Sequence, residues 1–398
     1  MSNFQIGRRA ALTAGVAALA SPALVRAQSE PVKLATLTPL TGAGGSYGPS
    51  MAKIAAAVVE EVNKAGGVLG RRVVLVSEDD QTSPEPAVRA ARKLIDVDKV
   101  SAIMGTWASS VTTAVAPLCW ESKTFLCTVS GADSITLLPH QGYLIRTQPN
   151  SQLQVTRLAE FILSLGAKKI FTMIPQTPFT QSTFDILNAV LPKGGASQQS
   201  LIYDDKKNTY RTEVDQALRT SPDMILANGY TPDTVVLLKD LYRAGFKGKI
   251  IGFAYSINQK LIDQIGQNDV VEGVYTFAPA PAEGSGAYEK VKAAVGSSNP
   301  DPYTCQVYDH VTMVLMSMAL AKDTSGTAIK DNIRKVSQGG GKPVDNAVDG
   351  LKAIAAGEKV DYSGASGPCD FDAKGDILDC KFRFEQIKSG KFTLVKIA

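Results

Sequence analysis

A chain of 398 residues, 44% hydrophobic and 20% charged, lies in the ordinary globular range and is long enough for two hydrophobic cores. Its 42 basic and 38 acidic residues give a formal charge of +4, with no basic cluster interleaved with aromatics, so nucleic acid is not an expected partner. No apolar run of 18 or more residues follows the first thirty, so no transmembrane helix is expected there.

Residues 1–28 stand apart. Arg8-Arg9 precede an uncharged small and apolar stretch from Ala10 to Val25, and Arg26-Ala27-Gln28 follows. A basic head, a short apolar middle and small residues at the end describe an export signal, cleaved near Ala27. The paired arginines resemble a twin-arginine signal, although Ala10-Ala11 depart from that pattern. A periplasmic location is therefore expected. Removing residues 1–27 takes away Arg8, Arg9 and Arg26 and leaves 39 basic against 38 acidic residues, close to neutrality.

The stretch from Leu34 to Gly48, LATLTPLTGAGGSYG, and the helix after it organise the chain. A short apolar strand stops at Thr38-Pro39, because proline cannot donate to a sheet ladder. A Gly/Ser/Thr loop follows. Met51, Ile54, Ala55, Val58, Val59 and Val62 then share one helical face, and Gly66-Gly67 closes the helix. A loop between a strand's carboxyl end and a helix is where open α/β sheets bind small ligands.

The same strand–loop–helix unit recurs. Strands are expected at 72–77, 100–104 and 124–129, helices at 84–95 and 111–120, and terminal loops at 105–110 and 130–136. A strand at 143–150 runs into Pro149-Asn150, and the register restarts with helix 152–165. Strands 169–174, 199–203, 224–227 and 249–253 alternate with helices 181–191, 210–219 and 233–244, and with loops 175–180, 228–232 and 254–258. Residues 271–281 read as a further crossing. Helices at 288–295, 307–321, 329–336 and 344–355 follow, with no strand expected among them, and residues 367–397 form a β-rich tail.

Five cysteines are present: Cys119, Cys127, Cys305, Cys369 and Cys380. An exported protein can keep disulfides, and Cys369 and Cys380 flank FDAKGDILD, which reads as a hairpin, so these two are expected to pair. Cys119 and Cys127 form a second, weaker candidate. No CxxC or Cys/His spacing suggests a metal, and His140 and His310 are the only histidines. No cofactor is expected.

PLTGAGGSYG, EEVNKAGGVLGRRVVLVSEDDQTSPEPAVRAARKLI, VSAIMGTWASS, DLYRAGFKGKIIG, VEGVYTFAPAP, VYDHV and SGPCDFDAKGD together resemble the successive signatures of periplasmic leucine/isoleucine/valine-type solute-binding proteins. The resemblance implies a type I periplasmic binding fold: two doubly wound parallel-sheet lobes joined by two or three crossing strands, with a ligand cleft between. The lobes are expected at 29–148 plus 279–365 and at 149–278 plus 366–398. The implied function is a monomeric receptor that takes a small molecule to an inner-membrane ABC permease with its cytoplasmic ATPase.

Carried over residue by residue, the resemblance gives Tyr47 as the aromatic of the first loop and Ser109 as the hydroxyl after the third strand. Ser130, Gly131 and Ala132 fall in the loop that meets the ligand carboxylate. Phe179 and Tyr230 stand for the second lobe. Trp107 and Tyr255 add aromatic surface. One position departs: the loop after IIG carries Ala254 where branched-chain amino-acid binders place an acid for the α-ammonium. A buried ammonium without a carboxylate is costly. The ligand is therefore expected to be a small or aromatic carboxylate rather than an ordinary α-amino acid, unless Asp133 or Asp205 substitutes.

Gly44-Gly45-Ser46-Tyr47-Gly48 also matches GxSxG, the motif of a hydrolase nucleophile elbow, and with His310 it offers a secreted serine hydrolase as the alternative. The long loop and the missing HGG-type stretch argue against it. Tyr47 breaks the dinucleotide fingerprint, and no GxxxxGK[ST] occurs, so the chain is not the transporter's ATPase. A sensory domain of the same fold is a further alternative.

Overall fold

The computed structural model describes residues 30–398; the export-signal reading of residues 1–28 lies outside them. β1 (Val32–Thr38) is almost wholly buried, as a strand covered on both faces must be. It pairs in parallel with β2 (Val73–Asp79) and β3 (Ala102–Thr106). Adding β4 (Phe125–Thr128) and β5 (Leu144–Arg146) gives the order β2-β1-β3-β4-β5. The helix Gly48–Lys64 carries Pro49 in its first turn and buries the six apolar residues whose spacing predicts it. Its chain then reverses through Gly66 and Gly67, whose φ of +106° and +78° favour residues without a Cβ.

A second sheet repeats the scheme. β6 (Lys169–Pro175), β7 (Ser197–Tyr203), β8 (Met224–Ala227), β9 (Lys249–Phe253) and β10 (Tyr275–Pro279) run parallel. Among the described residues a third, three-stranded sheet also occurs: β11 (Lys342–Val344), β12 (Val360–Gly364) and β13 (Gly367–Pro368). This corrects the expectation of an all-helical stretch; strands of two to five residues carry too few side chains to show a period of two. β14 (Phe382–Lys388) and β15 (Lys391–Ile397) then close the second sheet in antiparallel fashion, in the order β15-β14-β10-β9-β8-β6-β7.

The chain passes between the two sheets three times: after β5, after β10, and between Asp376 and β14. The helices Gly286–Val295 and Pro302–Ala321 bury Val291, Val307, Val311 and Val314 in the core of the first sheet, as do Cys369 and Phe371 of the tail. Phe382 and Phe384 already belong to a core of the second sheet.

This path also corrects the disulfide expectation. Phe371 and Ile377 do bridge as a hairpin, but beyond it Cys369 enters the first core while Cys380 turns toward β14. All five cysteines are free, the Cys119–Cys127 candidate included.

Two polar devices tie the crossings down. Arg146, at the end of β5, has no exposed surface and meets Asp376 with its Nε 2.5 Å from the carboxylate. Its Nη1 donates to Ala132 O at 2.7 Å and its Nη2 to Thr136 Oγ1 at 3.0 Å. The second device is the almost fully buried helix Pro302–Ala321. From it, Gln306 donates to Gln148 at 2.8 Å, His310 Nε2 meets Thr147 at 2.8 Å, and Asp309 accepts from Tyr362 Oη and from the backbone N–H of Ala365 and Ser366.

Removing Asp376 leaves a buried guanidinium without its counter-ion. Asp376→Ala is expected to cost about 3–5 kcal/mol in denaturant melts, more than truncating any of the exposed ion pairs. Burial holds the His310 imidazole down to about 3, against an ordinary 6.5. The folded state therefore binds fewer protons than the unfolded chain between those values, and this residue's contribution to stability is lost as pH falls. His310→Gln is expected to flatten the decline of unfolding free energy below about pH 6.5.

Candidate functional site

The carboxyl ends of β1, β3 and β4 face those of β6, β8 and β9 across a cleft of about 570 Å³. Of the residues singled out from the sequence, Tyr47, Trp107, Ser109, Gly131, Phe179, Tyr230, Ala254 and Tyr255 line it. Trp107, just past β3, is the hub. Its ring centroid lies 5.6 Å from Tyr47, 5.8 Å from Tyr303, 5.7 Å from Tyr230 and 5.9 Å from Tyr255. A Cβ at Gly44 would stand 2.8 Å from the indole, so the first loop approaches Trp107 only because that residue is glycine.

The two sides touch. Tyr47 Oη donates to Ala254 O at 3.1 Å and accepts from Asn258 Nδ2 at 2.9 Å. Phe179, in the first turn of the helix Pro178–Val190, packs on Phe253 at 5.2 Å and Tyr255 at 5.9 Å. Its ring fills the space where a Gly131 Cβ would sit, 2.6 Å away. Burial pushes the Tyr47 and Tyr255 phenols well above their usual range, so both stay protonated and able to donate.

Two expected ligand contacts are placed elsewhere. Ser130 is buried and its hydroxyl is consumed by Thr112 Oγ1 at 2.6 Å and Trp107 O at 2.8 Å, within a cluster that includes Thr106 and Thr128. Ala132 is fully buried, and its N–H donates to Ser109 Oγ at 3.2 Å. Both residues shape the loop from behind, and Gly131 between them lines the cleft. The Thr112 hydroxyl and the Trp107 carbonyl are the competitors that a reading of loop positions alone does not reveal.

Other lining residues escaped the sequence reading. Tyr303 and Asp301 come from the start of the helix Pro302–Ala321, whose N-cap is Asp301; Pro300 and Pro302 flank it and are the signal that could have marked this turn. Asn228 directly follows β8, and Asn258 caps the helix Gln259–Ile265. Gln148 and Gln154 form part of the floor near the first crossing. Arg383 is the cation of the lining, paired with Glu283 at 2.6 Å.

The hydrolase constellation does not assemble. Ser46 borders a shallow pocket at the mouth, whereas His310 is sealed in its helix with Thr147 as its partner.

A two-lobed solute receptor is the class that this fold and cleft define. Residues 31–391 match the family model described as periplasmic binding protein, and the chain belongs to that family. Among curated relatives, it is 26% identical to a chemotactic signal transduction system substrate-binding protein of Halobacterium salinarum over 86% of this chain and 84% of that one. It is 24% identical to the Leu/Ile/Val-binding protein of Escherichia coli over 94% of each. Among solved structures, a leucine-binding protein of Thermotoga maritima superposes with a TM-score of 0.78 at 21% identity, covering 92% of this chain and 98% of the other. A solute-binding protein of R. palustris in complex with benzoate gives 0.72 at 16% identity, covering 92% and 96%.

Tyr47→Phe removes both hydrogen bonds that its hydroxyl makes across the cleft. At about 0.5–1.5 kcal/mol net for each bond, the two sides of the cleft are expected to separate more readily in the variant, seen as a larger radius of gyration in solution scattering.

Proposed function

We propose that the protein captures a small organic carboxylate with an apolar or aromatic body outside the cytoplasm and delivers it to an inner-membrane ABC permease with its cytoplasmic ATPase. It does so as a monomer and by binding alone, without chemistry on the ligand.

The observation that carries this reading is the pairing of an aromatic cleft with the missing acid at Ala254. Among the described residues, the acids lining the cleft are Asp301 and Glu385. Asp301 is occupied as a helix cap by the N–H and hydroxyl of Thr304, and Glu385 lies 3.5 Å from Arg383. Asp133 accepts from the N–H of Gln152 and Asp205 is exposed; neither lines the cleft. An α-ammonium buried here would lack a carboxylate, which is costly. A planar apolar body instead finds Trp107 and four tyrosines, where ring pairs contribute about 0.5–1.5 kcal/mol each beyond area burial.

The carboxylate end is best served by the first lobe. The helix Ser109–Glu121 points its N-terminus at the cleft edge and has no acid in its first turn, so its free N–H groups and the Ser109 hydroxyl favour an anion. Relatives of this fold are described in complex with isoleucine, benzoate and 4-hydroxybenzoate, so the fold itself does not choose between ligand classes. The aromatic lining and Ala254 support the aromatic acid.

Calorimetry of the mature protein against leucine, isoleucine, benzoate and 4-hydroxybenzoate tests the reading. Saturable binding of an aromatic acid with no heat from leucine is expected; tight leucine binding overturns it. Turnover of a chromogenic ester that disappears in Ser46→Ala would overturn binding without chemistry.

A further inference from the structure

Asn228 sits where β8 ends, at the lip of the second sheet. It lines the cleft, yet none of its surface is exposed to water. Its Oδ1 accepts a hydrogen bond from Tyr255 Oη, and its Nδ2 has no partner. A buried N–H without an acceptor is costly, and the cleft that Asn228 lines is a space from which an acceptor can come. Tyr255 is itself a wall of that cleft and packs on Phe253, Tyr230 and Trp107.

We propose that the Asn228–Tyr255 pair reads a phenolic hydroxyl at the end of the ligand remote from its carboxylate, so that the preferred ligands are hydroxylated aromatic acids. The inference rests on the aromatic-carboxylate reading above and narrows it. The two atoms are complementary to a phenol. Asn228 Nδ2–H donates to the phenol oxygen. Tyr255 Oη has given its own proton to Asn228 Oδ1 and keeps lone pairs to accept the phenol's proton. A methyl ether satisfies the first contact only, and an unsubstituted ring satisfies neither. Sites built around such a polar pair reject the analogue that leaves it unpaired.

The competing explanation is that the pair merely holds two loops together. The two ideas differ in one readout, the ratio of affinities for 4-hydroxybenzoate and benzoate. Calorimetric titration of the wild type, Asn228→Ala and Tyr255→Phe with these two acids and with 4-methoxybenzoate separates them. The wild type is expected to favour the hydroxy acid over benzoate by about tenfold or more, the equivalent of one good hydrogen bond, with the methoxy acid between. The ratio is expected to fall to within about threefold in Asn228→Ala and partway in Tyr255→Phe.

A variant that weakens both acids in proportion shows a structural role and overturns the inference. So does a wild type that binds benzoate as tightly as 4-hydroxybenzoate, an outcome that leaves the aromatic-carboxylate reading standing. Binding of leucine with no aromatic acid bound defeats that reading and this inference with it. Thermal melts of the unliganded variants check folding. If Asn228→Ala does not fold, Tyr255→Phe and the wild-type comparison of hydroxy and methoxy acids decide the matter.

Discussion

A guanidinium with no exposed surface cannot remain unpaired, and the demand that Arg146 makes on its surroundings ties the first crossing to the third. Two segments answer it, the third crossing and the loop 130–136. Asp376 supplies the counter-charge from the third crossing, Ala132 and Ser130 supply carbonyls from the loop behind Gly131, and Thr136 supplies a hydroxyl. Burial pushes the Asp376 carboxyl up, but Arg146 and the hydrogen bonds from Asn150 and Thr136 outweigh it, so the group sits below the ordinary carboxylate range and stays charged. The same pair therefore backs the wall of the cleft and joins the first crossing to the third.

From that anchor the route to a binding cleft is short. Loop 130–136 holds Gly131 where Phe179 of the opposite lobe can close on it, and Ser109 is steadied by the N–H of Ala132. Thr147 and Gln148, directly after Arg146, are held by His310 and Gln306 of the buried helix. What meets across the gap is mostly aromatic, with Tyr47 as the polar link to Ala254 and Asn258.

The architecture was legible because its signals are local. The strands β1, β2, β3 and β5 each lead through a loop into a helix whose apolar face repeats at three and four, and these periods survive without knowledge of the partner; β4 leads instead through a short turn to β5. Tyr47, Ser109 and Tyr230 were legible from the family resemblance and from their place after a strand end at the crevice, and Trp107 and Tyr255 as aromatic neighbours of those loops. Ser130 shares that position but not that role: its hydroxyl is taken up by Thr112 of a helix and by the carbonyl of Trp107 after β3, while Thr128 of β4 accepts from its backbone N–H, and only folding brings these together. Tyr303 and Asn228 were missed from opposite sides, one because its helix belongs to a late part of the chain, the other because an Asn before Gly reads as a turn. The cysteine pair failed because a hairpin of a single bridge does not keep its flanks parallel.

The unbridged cysteines have a consequence for how this protein is made. With every thiol free and four of the five buried, no step of its assembly waits for an oxidant. The fold rests on packing, on one sealed ion pair and on backbone ladders, all of which form equally well in a reducing compartment. Such a chain needs no oxidising compartment to complete its fold.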